Sequence, residues 1–576
     1  MMKILRINMR SKSVKEEILP QEWMLLGNRG LIDKIMLDEV PPTCEPLGQK
    51  NKLIFANGPL AMSRISSSGR ISAGGKSPLT GGIKESNSGG ISGYRMAQQG
   101  IRALIIEDIP EEKEALYLLH IHNGQAALFN AEEYKGLNTD QLTEKILEKY
   151  GKDCGVMCIG YAGEMMLSSA GIVNLDHDQN NSRLCARGGL GAVMGSKRLK
   201  AIVIQNDRIF VTPVADNARL SAAIKDYLNV LRTTPRTGVG YPEYGTAVNI
   251  LTNNAMGAFP SYAFRSGSFE GVEEVSGEKL RDTILTRGGE GMTTHACMPG
   301  CIIRCSNVFA DKFGKKVVAS LEYETISLLG TNLGIGNLDD IAVLNSSCNN
   351  YGIDTIEVGA AIGVYMDLGL ASFGDTKRAI ELVNEIGQGT VLGRVLGEGS
   401  AITARIFKSL RAPTVKGQSM AAHEPRAIKG MSVTYATSPQ GADHTAAVTT
   451  SAKIDHNDPT IQMEFSRNLQ VKIASFDTLG FCLFASVGGP QIPGIIVEMI
   501  NSIYGTNLTA DFFTSLGKEV IWMEHQFNLK AGLNVVHDDM PEFMTEEPVH
   551  PVNNISDIPK DHYQRFWDES FWIGDK

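Results

Sequence analysis

The sequence predicts an α+β protein in which a β-rich N-terminal domain is followed by two mainly helical domains. Up to about residue 205, short apolar runs alternate with glycine-rich turns, which is the pattern of strands. From Asp216 onward, apolar residues recur at helical spacing. A chain of 576 residues also exceeds the size at which one hydrophobic core stops growing. We therefore expect domains over residues 1–207, 208–410 and 411–576.

Local patterns place the individual elements. In the first domain, the runs that predict strands are 52–56, 103–107, 116–121, 156–159 and 201–204. Cys154 and Cys158 belong to one such apolar stretch, and we interpret them as core residues. Asp216 is a candidate cap for the first helix of the second domain. Proline and acidic residues accumulate over 537–560 and predict an irregular tail along the surface.

The composition excludes several classes of function. Hydrophobic residues make up 43% and charged residues 21% of the chain, as in an ordinary globular protein, and a formal net charge of −9 disfavours a nucleic-acid groove. The first ten residues mix charged and apolar side chains, unlike a signal peptide, and no stretch has the length of a membrane helix. Nine cysteines without an extracellular signal favour a reducing cytoplasm over a disulfide framework.

Two glycine-rich segments of the first domain are candidate phosphate sites. They cover residues 76–90 and 187–197, and each combines glycines with lysine or arginine. Glycine lets backbone amides approach an anion closely, while the cation supplies the opposite charge. Neither segment matches a P-loop or a dinucleotide-binding fingerprint. Each segment alone is also compatible with tight turns, but their joint presence favours binding.

Three closely spaced cysteines indicate a metal site. Cys297, Cys301 and Cys305 lie within the short stretch from His295 to Ser306. Pro299 and Gly300 oppose an unbroken helix, so we predict a loop that wraps an iron–sulfur cluster or zinc. The alternative is that the three thiols are small buried hydrophobic groups.

A repeated pattern follows two predicted helices. Residues 339–349 and 463–476 are both predicted to be helical. Each helix is followed by the same sequence pattern: a polar residue, two further residues, a glycine, an apolar residue and a residue that can act as a ligand. Ordinary capping explains the first copy, in which Gly352 ends one helix and Asp354 caps the next. It does not explain Cys482 at the cap position of the second copy.

Taken together, these segments resemble the aldehyde:ferredoxin oxidoreductase family, over essentially the whole chain. Members of that family are tungsten- or molybdenum-dependent enzymes that hold the metal between two pterin dithiolenes beside a [4Fe-4S] cluster. The resemblance is carried by residues 76–81 with 87–90, 187–197, the cysteine triplet, 322–325, 349–354 and 477–482. It implies that the first domain binds the pterins and that each helical domain contributes one helix-end pterin motif.

The resemblance also implies a ligand set. Cys297, Cys301, Cys305 and Cys482 would hold the cluster. Arg70 would lie between the cluster and the proximal pterin, while Asn87 and the backbone at Arg183 and Leu184 would hold the pterin phosphates through Mg²⁺. The complete set of implied cofactor-binding residues is Arg70, Lys76, Asn87, Ser88, Gly89, Arg183, Leu184, Arg187, Gly188, Gly189, Asn349, Asp354, Asp477 and Phe481.

The chain departs from the family pattern at three points. Several members have two residues between the first two cysteines, whereas this chain has three. Asn349 stands where aspartate is more usual. A Glu-x-x-His site for a metal between subunits is not evident, so a homodimer bridged by a metal is in doubt.

Three residues are predicted to carry the chemistry. We expect Glu324 to be a buried carboxyl group with a raised pKa that takes a proton as water attacks an aldehyde carbon. Tyr323 would orient the substrate, and His444 would donate a hydrogen bond to the aldehyde oxygen. Without the family resemblance, the segment around Glu324 is more typical of a helix start, and a lone loop histidine usually has no such role.

The expected reaction converts an aldehyde and water to a carboxylic acid and passes electrons to ferredoxin or a ferredoxin-like subunit. Low-potential electrons could drive the reverse reaction, reduction of a carboxylic acid. Three rival functions remain: an electron-transfer subunit that has lost the pterin, a radical S-adenosylmethionine enzyme, and a structural zinc site formed by His295 and the triplet. The sequence chooses neither tungsten nor molybdenum, and it does not identify the aldehyde.

Overall fold

The computed structural model describes residues 2–63, 65–112, 114–207, 209–211, 213–450 and 452–574. It confirms the α+β class, with strands concentrated in the first 205 residues and helices in the remainder. The predicted domain limits at residues 1, 208 and 576 lie outside the described residues. The division into three domains stays a prediction.

In the described part of the chain, the first domain consists of two six-stranded sheets. The first sheet has the order β2-β1-β6-β3-β4-β5 and contains β1 (Lys3–Asn8), β2 (Ser13–Ile18), β3 (Leu53–Asn57), β4 (Ile71–Lys76), β5 (Ile83–Ser88) and β6 (Ile101–Glu107). The second has the order β11-β10-β9-β12-β7-β8 and contains β7 (Tyr117–His122), β8 (Gln125–Asn130), β9 (Cys154–Cys158), β10 (Ile172–Asn174), β11 (Arg183–Cys185) and β12 (Leu199–Gln205). Every strand predicted in this domain is present.

The two sheets pack face to face around an apolar core. Phe55 and Leu104 of the first sheet and Met157 and Ile202 of the second belong to one buried cluster. Helices cover the outer faces and the sheet ends: α1 (Asn28–Glu39), α2 (Ser92–Gln98), α3 (Thr139–Tyr150), α4 (Tyr161–Glu164) and α5 (Leu190–Ser196). Because helices cover the outer faces, the central strands are buried on both sides, which explains their continuous apolar sequences. Cys154 and Cys158 are buried there as predicted.

The middle of the chain is mainly helical. Its helices are α6 (Asn217–Thr233), α7 (Tyr241–Tyr244), α8 (Ile250–Ala255), α9 (Gly277–Arg287), α10 (Tyr323–Leu328), α11 (Leu338–Tyr351), α12 (Thr355–Asp367), α13 (Thr376–Gln388), α14 (Val391–Gly397) and α15 (Ser400–Phe407). Its strands are β13 (Met292–His295), β14 (Ser306–Ala310) and β15 (Lys316–Val318). As predicted, Asp216 caps α6, accepting a 2.9 Å hydrogen bond from the Arg219 N–H.

The last part of the chain packs back onto the first domain. A short hairpin of β16 (Thr414–Val415) and β17 (Gln418–Ser419) precedes its helices. These are α16 (Lys429–Thr437), α17 (Gln462–Thr478), α18 (Ile492–Tyr504), α19 (Asp511–Ala531), α20 (Glu542–Glu546), α21 (Lys560–Phe566) and α22 (Glu569–Ile573). α17 and α19 both pack against α1. The tail predicted over 537–560 is largely irregular, with α20 as its one interior α-helix among the described residues.

Both predicted helix ends are present. α11 ends at Gly352, which has a φ of 70°, and Asp354 then caps α12 by accepting a 2.9 Å hydrogen bond from the Ile356 N–H. α17 likewise leads into Gly480, with a φ of 77°. Glycine tolerates this left-handed conformation.

The second helix end touches the backbone of the first domain. A Cβ on Gly58 would lie 2.3 Å from the Leu479 carbonyl oxygen, and a Cβ on Gly480 would lie 2.9 Å from the Gly58 Cα. The two backbones therefore approach as closely as two glycines permit.

None of the helices in the described residues combines the length and apolar character that crossing a membrane requires.

Candidate metal and cofactor site

The three clustered cysteines lie on the loop between β13 and β14, and the predicted absence of a helix is confirmed. Gly300 turns the loop with a φ of 74°. The first domain holds both sides of the turn: the Gly90 N–H donates to the Cys297 carbonyl at 2.8 Å, and the Ile302 N–H donates to the Ser66 Oγ at 3.0 Å. The loop is thus fixed against the first glycine-rich segment.

The structure brings Cys482 to the same place. Cys482 begins the 3₁₀-helix Leu483–Gly488, and its N–H donates to the Ser67 carbonyl at 2.8 Å. The Ser67 Oγ in turn lies 3.6 Å from the Cys301 Sγ. One serine of the first domain therefore contacts both the triplet and the fourth cysteine.

The four thiols share one electrostatic environment. Burial raises the pKa of Cys297 to about 12, and the charges of Cys301 and Cys482 add to that rise. Burial raises the pKa of Cys305 well above its usual range, and the other three thiols contribute in the same direction. Thiols that raise one another's pKa are close enough to share a cationic group, whose charge would reverse the effect.

Within the described residues, the one group of three or more potential metal-ligand atoms lying within 4.8 Å of one another is formed by His177, Asp178 and His295.

His295 does not join the cysteines. Its Nε2 lies 2.8 Å from the Asp178 Oδ2, and its Nδ1 lies 3.5 Å from the Arg183 guanidinium. A guanidinium only donates, so the ring proton is on Nε2 and points to Asp178. Neither ring nitrogen then offers a free lone pair, which argues against zinc bound by His295 and against a cation within the His177, Asp178 and His295 group.

Arg70 connects the cysteines with the second helix end. Burial lowers the pKa of Arg70, but the charges of Cys482 and Cys297 outweigh burial, and the net shift is upward. The guanidinium donates to the Asn87 side-chain oxygen and, at 3.2 Å, to its carbonyl oxygen. The Asn87 amide then lies 3.5 Å from the Asp477 Oδ1. Three residues that the sequence singled out, Arg70, Asn87 and Asp477, therefore form one contact chain.

The first helix end contacts the second glycine segment. Arg187 is buried and directs its Nε to the Asp354 Oδ2 at 3.3 Å. A Cβ on Gly188, whose φ is 81°, would lie 2.4 Å from the Lys84 Cγ. Lys84 itself is buried and pairs with Asp443 at 2.6 Å. The glycine turn therefore brings β5, the first helix end and the segment before His444 together.

A carboxylate and two histidines form the candidate catalytic group. The Glu324 Oε1 lies 3.3 Å from the His444 Nε2 and 3.4 Å from the His423 Nε2. The Ala422 N–H donates to the Glu324 Oε2 at 2.7 Å. Tyr323 stacks on His423 with ring centroids 5.2 Å apart, and its hydroxyl donates to the Ala422 carbonyl at 2.7 Å. The structure thus brings the three predicted residues together and adds His423.

His423 was missed because its sequence carries no local signal. It lies in a buried run of small residues before Glu424 and Pro425, without a glycine turn. The sequence offered one indication of a functional role, which is that a histidine occurs in a stretch otherwise typical of a buried core.

The predicted rise in the Glu324 pKa is wrong. Burial does raise it, but the charges of His444 and His423, the hydrogen bond from His423 and the Ala422 N–H outweigh burial and lower the pKa to about 2. Burial lowers the pKa of His444 by more than Glu324 and Asp443 raise it. At neutral pH the group therefore combines an ionised carboxylate with a neutral His444.

The other predicted cofactor residues differ in their surroundings. Ser88 and Gly89 accept hydrogen bonds from the Asn174 amide, so they lie at the mouth of the cysteine loop. Lys76 donates to the Cys44 carbonyl at 2.8 Å and to a neighbouring carbonyl, and Phe481 packs among other aromatic rings. The roles of Lys76 and Phe481 in cofactor binding stay predictions.

The remaining predicted residues lie on strand and helix termini. Arg183 and Leu184 belong to the short strand β11, with the Arg183 guanidinium 3.0 Å from the Ser320 Oγ. Asn349 lies in the last turn of α11, where its carbonyl accepts a hydrogen bond from the Thr139 hydroxyl. Gly189 completes the glycine turn with a φ of 74°.

Buried polar atoms without partners test whether a pterin fits between these elements. Such atoms are rare in folded proteins, because each costs about 1–3 kcal/mol. Within the described residues, several lie in these elements, at the Oδ1 atoms of Asn28 and Asn174, the Nε of Arg183, the amide of Gln418, the hydroxyl of Thr478, the Oε1 of Glu85 and the Nδ1 of His444, while others lie elsewhere, as at Arg411 and Arg467. A heterocycle with many donors and acceptors matches this set.

Four carboxyl groups share one guanidinium beside the second helix end. Arg29 binds Glu524 through two hydrogen bonds of 2.8 Å and lies 3.3 Å from Asp477. Burial raises the pKa of Asp477 to about 6 and that of Glu85 to about 7. Burial and the adjacent Glu524 raise the pKa of Asp33 well above its usual range. Folding therefore favours the protonated form of Asp33.

Replacing Asp33 with asparagine should change how stability depends on pH. The folded pKa of Asp33 is raised, so its stabilising contribution is complete below the unfolded pKa and is lost as pH rises through the folded pKa. The asparagine side chain cannot ionise. The Tm of D33N minus that of the unsubstituted protein should therefore increase from about pH 5 to about pH 8.

The matched control is Asp38→Asn, an exposed position on the same helix. Its Tm difference should be the same at both pH values. A D33N difference that is likewise constant would show that Asp33 is ionised throughout this range.

Two family models match the chain. The model described as "Aldehyde ferredoxin oxidoreductase, N-terminal domain" matches residues 4–206, and the model described as "Aldehyde ferredoxin oxidoreductase, domains 2 & 3" matches residues 222–570. The chain is 32% identical to a tungsten-containing aldehyde ferredoxin oxidoreductase of Pyrococcus abyssi, with 98% of this chain and 96% of the relative covered. It is 31% identical to the protein of that description from Thermococcus kodakarensis, with the same coverage.

More distant proteins share the architecture. The chain is 24% identical to the WOR-like subunit of an aliphatic sulfonate oxidoreductase of Pyrococcus furiosus, over 96% of this chain and 90% of the relative. Among solved structures, the chain is similar to one chain of the active-site complex BamBC of benzoyl coenzyme A reductase, with a TM-score of 0.80 and 16% sequence identity. The match includes 99% of the present chain and 94% of the BamBC chain. At that identity the likeness concerns the fold alone.

Proposed function

Since the chain belongs to the aldehyde ferredoxin oxidoreductase family, we propose that it oxidises an aldehyde with water to a carboxylic acid. The reaction releases two electrons and two protons for each aldehyde. The electrons would leave one at a time through a [4Fe-4S] cluster to ferredoxin or a ferredoxin-like subunit. The observation that carries the proposal is the grouping of Glu324, His444 and His423, connected through buried elements to a four-cysteine set.

Tungsten held by two pterins is the cofactor that the family suggests, and such a centre would supply two-electron redox chemistry at the substrate. Asn87 with Asp477 would hold one pterin, and Arg187 with Asp354 would hold the other. The backbone at Arg183 and Leu184 would face the phosphates and their Mg²⁺. Buried atoms without partners in these elements support this assignment.

Glu324 is suited to accept a proton from water. Its carboxylate is ionised at neutral pH, and its Oε1 is shielded from solvent with the Nε2 atoms of His444 and His423 at 3.3 and 3.4 Å. Water placed at Oε1 would transfer a proton there while its oxygen attacks the aldehyde carbon. A low pKa limits the driving force for this transfer, so the two neighbouring histidines have to assist.

His423 and His444 would divide that assistance. The Nε2 of His423 faces Glu324, and its ring is held from behind by Tyr323. His423 therefore orients the carboxylate by donating its Nε2–H to it. His444, neutral because burial lowers its pKa, would then be free to direct its N–H to the aldehyde oxygen as negative charge develops there.

Two further functions remain consistent with these residues. Reduction of a carboxylic acid would use the same groups in reverse and depends on the potential of the electron donor. An electron-transfer subunit without pterin would need the four cysteines but not the Glu324 group. The retained buried histidines argue against that second function, because buried polar groups without a role are costly.

Metal analysis of protein purified without oxygen should find about four iron and four sulfide atoms per chain and about one tungsten or molybdenum. Pterin should be released on denaturation in the ratio of about two per chain. Inductively coupled plasma mass spectrometry and a fluorescent assay for oxidised pterin measure both quantities.

Other metal and pterin contents would support a different function. Iron and sulfide without tungsten, molybdenum or pterin would favour the electron-transfer subunit. Zinc alone would overturn the redox function altogether.

A further inference from the structure

Two arginines without carboxylate partners lie beside the outer edge of the cysteine loop. Arg304 is exposed and directly precedes Cys305, and the guanidinium of Arg236 lies 5.8 Å from the ring centroid of Tyr241. In the described part of the chain, neither guanidinium has a carboxylate oxygen within 4.0 Å. Free positive charge is notable at this place because the chain as a whole carries a net charge of −9.

Backbone conformation helps to hold Arg304 outward. Its φ is 49°, in the left-handed region that side chains other than glycine rarely adopt. Such a conformation is strained and persists where the surrounding structure imposes it. Here the flanking residues, Ile303 and Cys305, face the protein interior, so the strained position presents a cation to solvent.

An aromatic pair connects the buried sulfurs with this surface. Phe484 lies two residues after Cys482, at the start of the 3₁₀-helix Leu483–Gly488. The Tyr241 ring packs against Phe484 with centroids 4.5 Å apart. Phe484 is half-buried, and Arg236 lies on the other side of Tyr241. Two contacting aromatic rings therefore lie between the cysteines and solvent.

Exposed apolar side chains surround the arginines. Val239 is 53% exposed on the π-helical turn Arg236–Gly240, and Val487 is 37% exposed on the 3₁₀-helix that also carries Phe484. These two short helices pack against each other, so their side chains form one surface. Glu243 lies in a crevice that is lined also by Arg281, Thr293 and Ser306.

We propose that this surface, formed by Arg236, Val239, Arg304, Phe484 and Val487 and called the arginine patch, is the docking site for an acidic iron–sulfur protein that accepts the electrons. The proposal rests on the proposed function, which requires a protein acceptor. Interfaces between redox partners are small and transient, and opposite charges at their rim accelerate the encounter. Two unpaired arginines around an apolar centre above the cluster match that description.

The test measures electron transfer to three acceptors in the complete, cofactor-loaded protein. These are an acidic ferredoxin, basic cytochrome c and the dye benzyl viologen, whose rate normalises the other two. In R236E/R304E the ferredoxin rate relative to the dye should fall by about tenfold to a hundredfold, and the cytochrome c rate should rise. Increasing salt should slow ferredoxin reduction in the unsubstituted protein more than in the variant. The matched control is R405E, which reverses an exposed arginine remote in sequence from the patch.

Two further measurements keep the outcome decisive. Because Arg304 adjoins a cysteine ligand, iron and sulfide are quantified in every variant, and R236E alone must show part of the ferredoxin effect. Stopped-flow transfer from dithionite-reduced protein to ferredoxin needs no aldehyde, so it tests docking even if aldehyde oxidation is absent and the proposed function fails.

An unchanged ratio of ferredoxin to dye rates in both R236E and the double variant would overturn the proposal. The proposal would also be overturned if light scattering showed that the unsubstituted protein is a dimer and R236E/R304E a monomer. The arginine patch would then contact a second copy of the chain.

Discussion

Replacement of Glu324 by glutamine should lower the rate of aldehyde oxidation by about 10²- to 10⁴-fold while iron and tungsten contents stay unchanged. The amide keeps the size of the side chain and one acceptor oxygen, so the Ala422 N–H can still be bound. It cannot take a proton from water. The rate is measured with an aldehyde and benzyl viologen, and the metals are measured in the same preparation.

Glu322→Gln is the matched control for the loss of a charge in this segment. The Glu322 carboxylate accepts hydrogen bonds from the Thr246 hydroxyl at 2.6 Å and from the Ser320 hydroxyl at 2.5 Å, and it does not contact the histidines. Its amide variant should retain most of the activity. Full activity of a cofactor-loaded E324Q would remove Glu324 from the mechanism.

Replacement of Cys482 by alanine should abolish the complete cluster. Three cysteines would remain for four irons, so we expect iron below four per chain and loss of the electron paramagnetic resonance signal of the reduced [4Fe-4S] cluster. Aldehyde oxidation should fall on the order of a hundredfold or more, because electrons would lose their exit. Iron analysis and spectroscopy of the dithionite-reduced variant measure the effect directly.

Cys348→Ala is the control for deleting a buried thiol. Cys348 is buried like Cys482 but lies in α11, beside the first helix end. It should keep four irons and the spectroscopic signal. Four irons and an unaltered signal in C482A would exclude Cys482 as a ligand.

The strands and helix ends could be predicted because their causes are local. Continuous apolar runs indicated the buried strands of the first domain, and Gly352 with Asp354 indicated the first helix end by capping rules alone. Cys482 required more than local reasoning. Its importance followed from comparison of two helix ends distant in sequence, and the structure then brings it to Ser67 beside Cys301.

The chemistry of the candidate site depends on contacts between distant segments, and there the sequence was insufficient. The Glu324 pKa was predicted to rise because burial alone was considered. It falls because His423, His444 and the Ala422 N–H come from a segment about a hundred residues later. Burial raises the pKa of Asp33 most, and Glu524, which comes from a segment about five hundred residues later, raises it further.

The close contact between Gly58 and the Leu479–Gly480 backbone has a consequence for biogenesis. That contact fixes the peptide that leads into Cys482 against the first domain, so the position of the last cysteine is defined only when both parts have folded together. A ribosome delivers the triplet long before it delivers Cys482. A ligand set that includes Cys482 would therefore be complete only after this segment has been synthesised and has folded against the first domain.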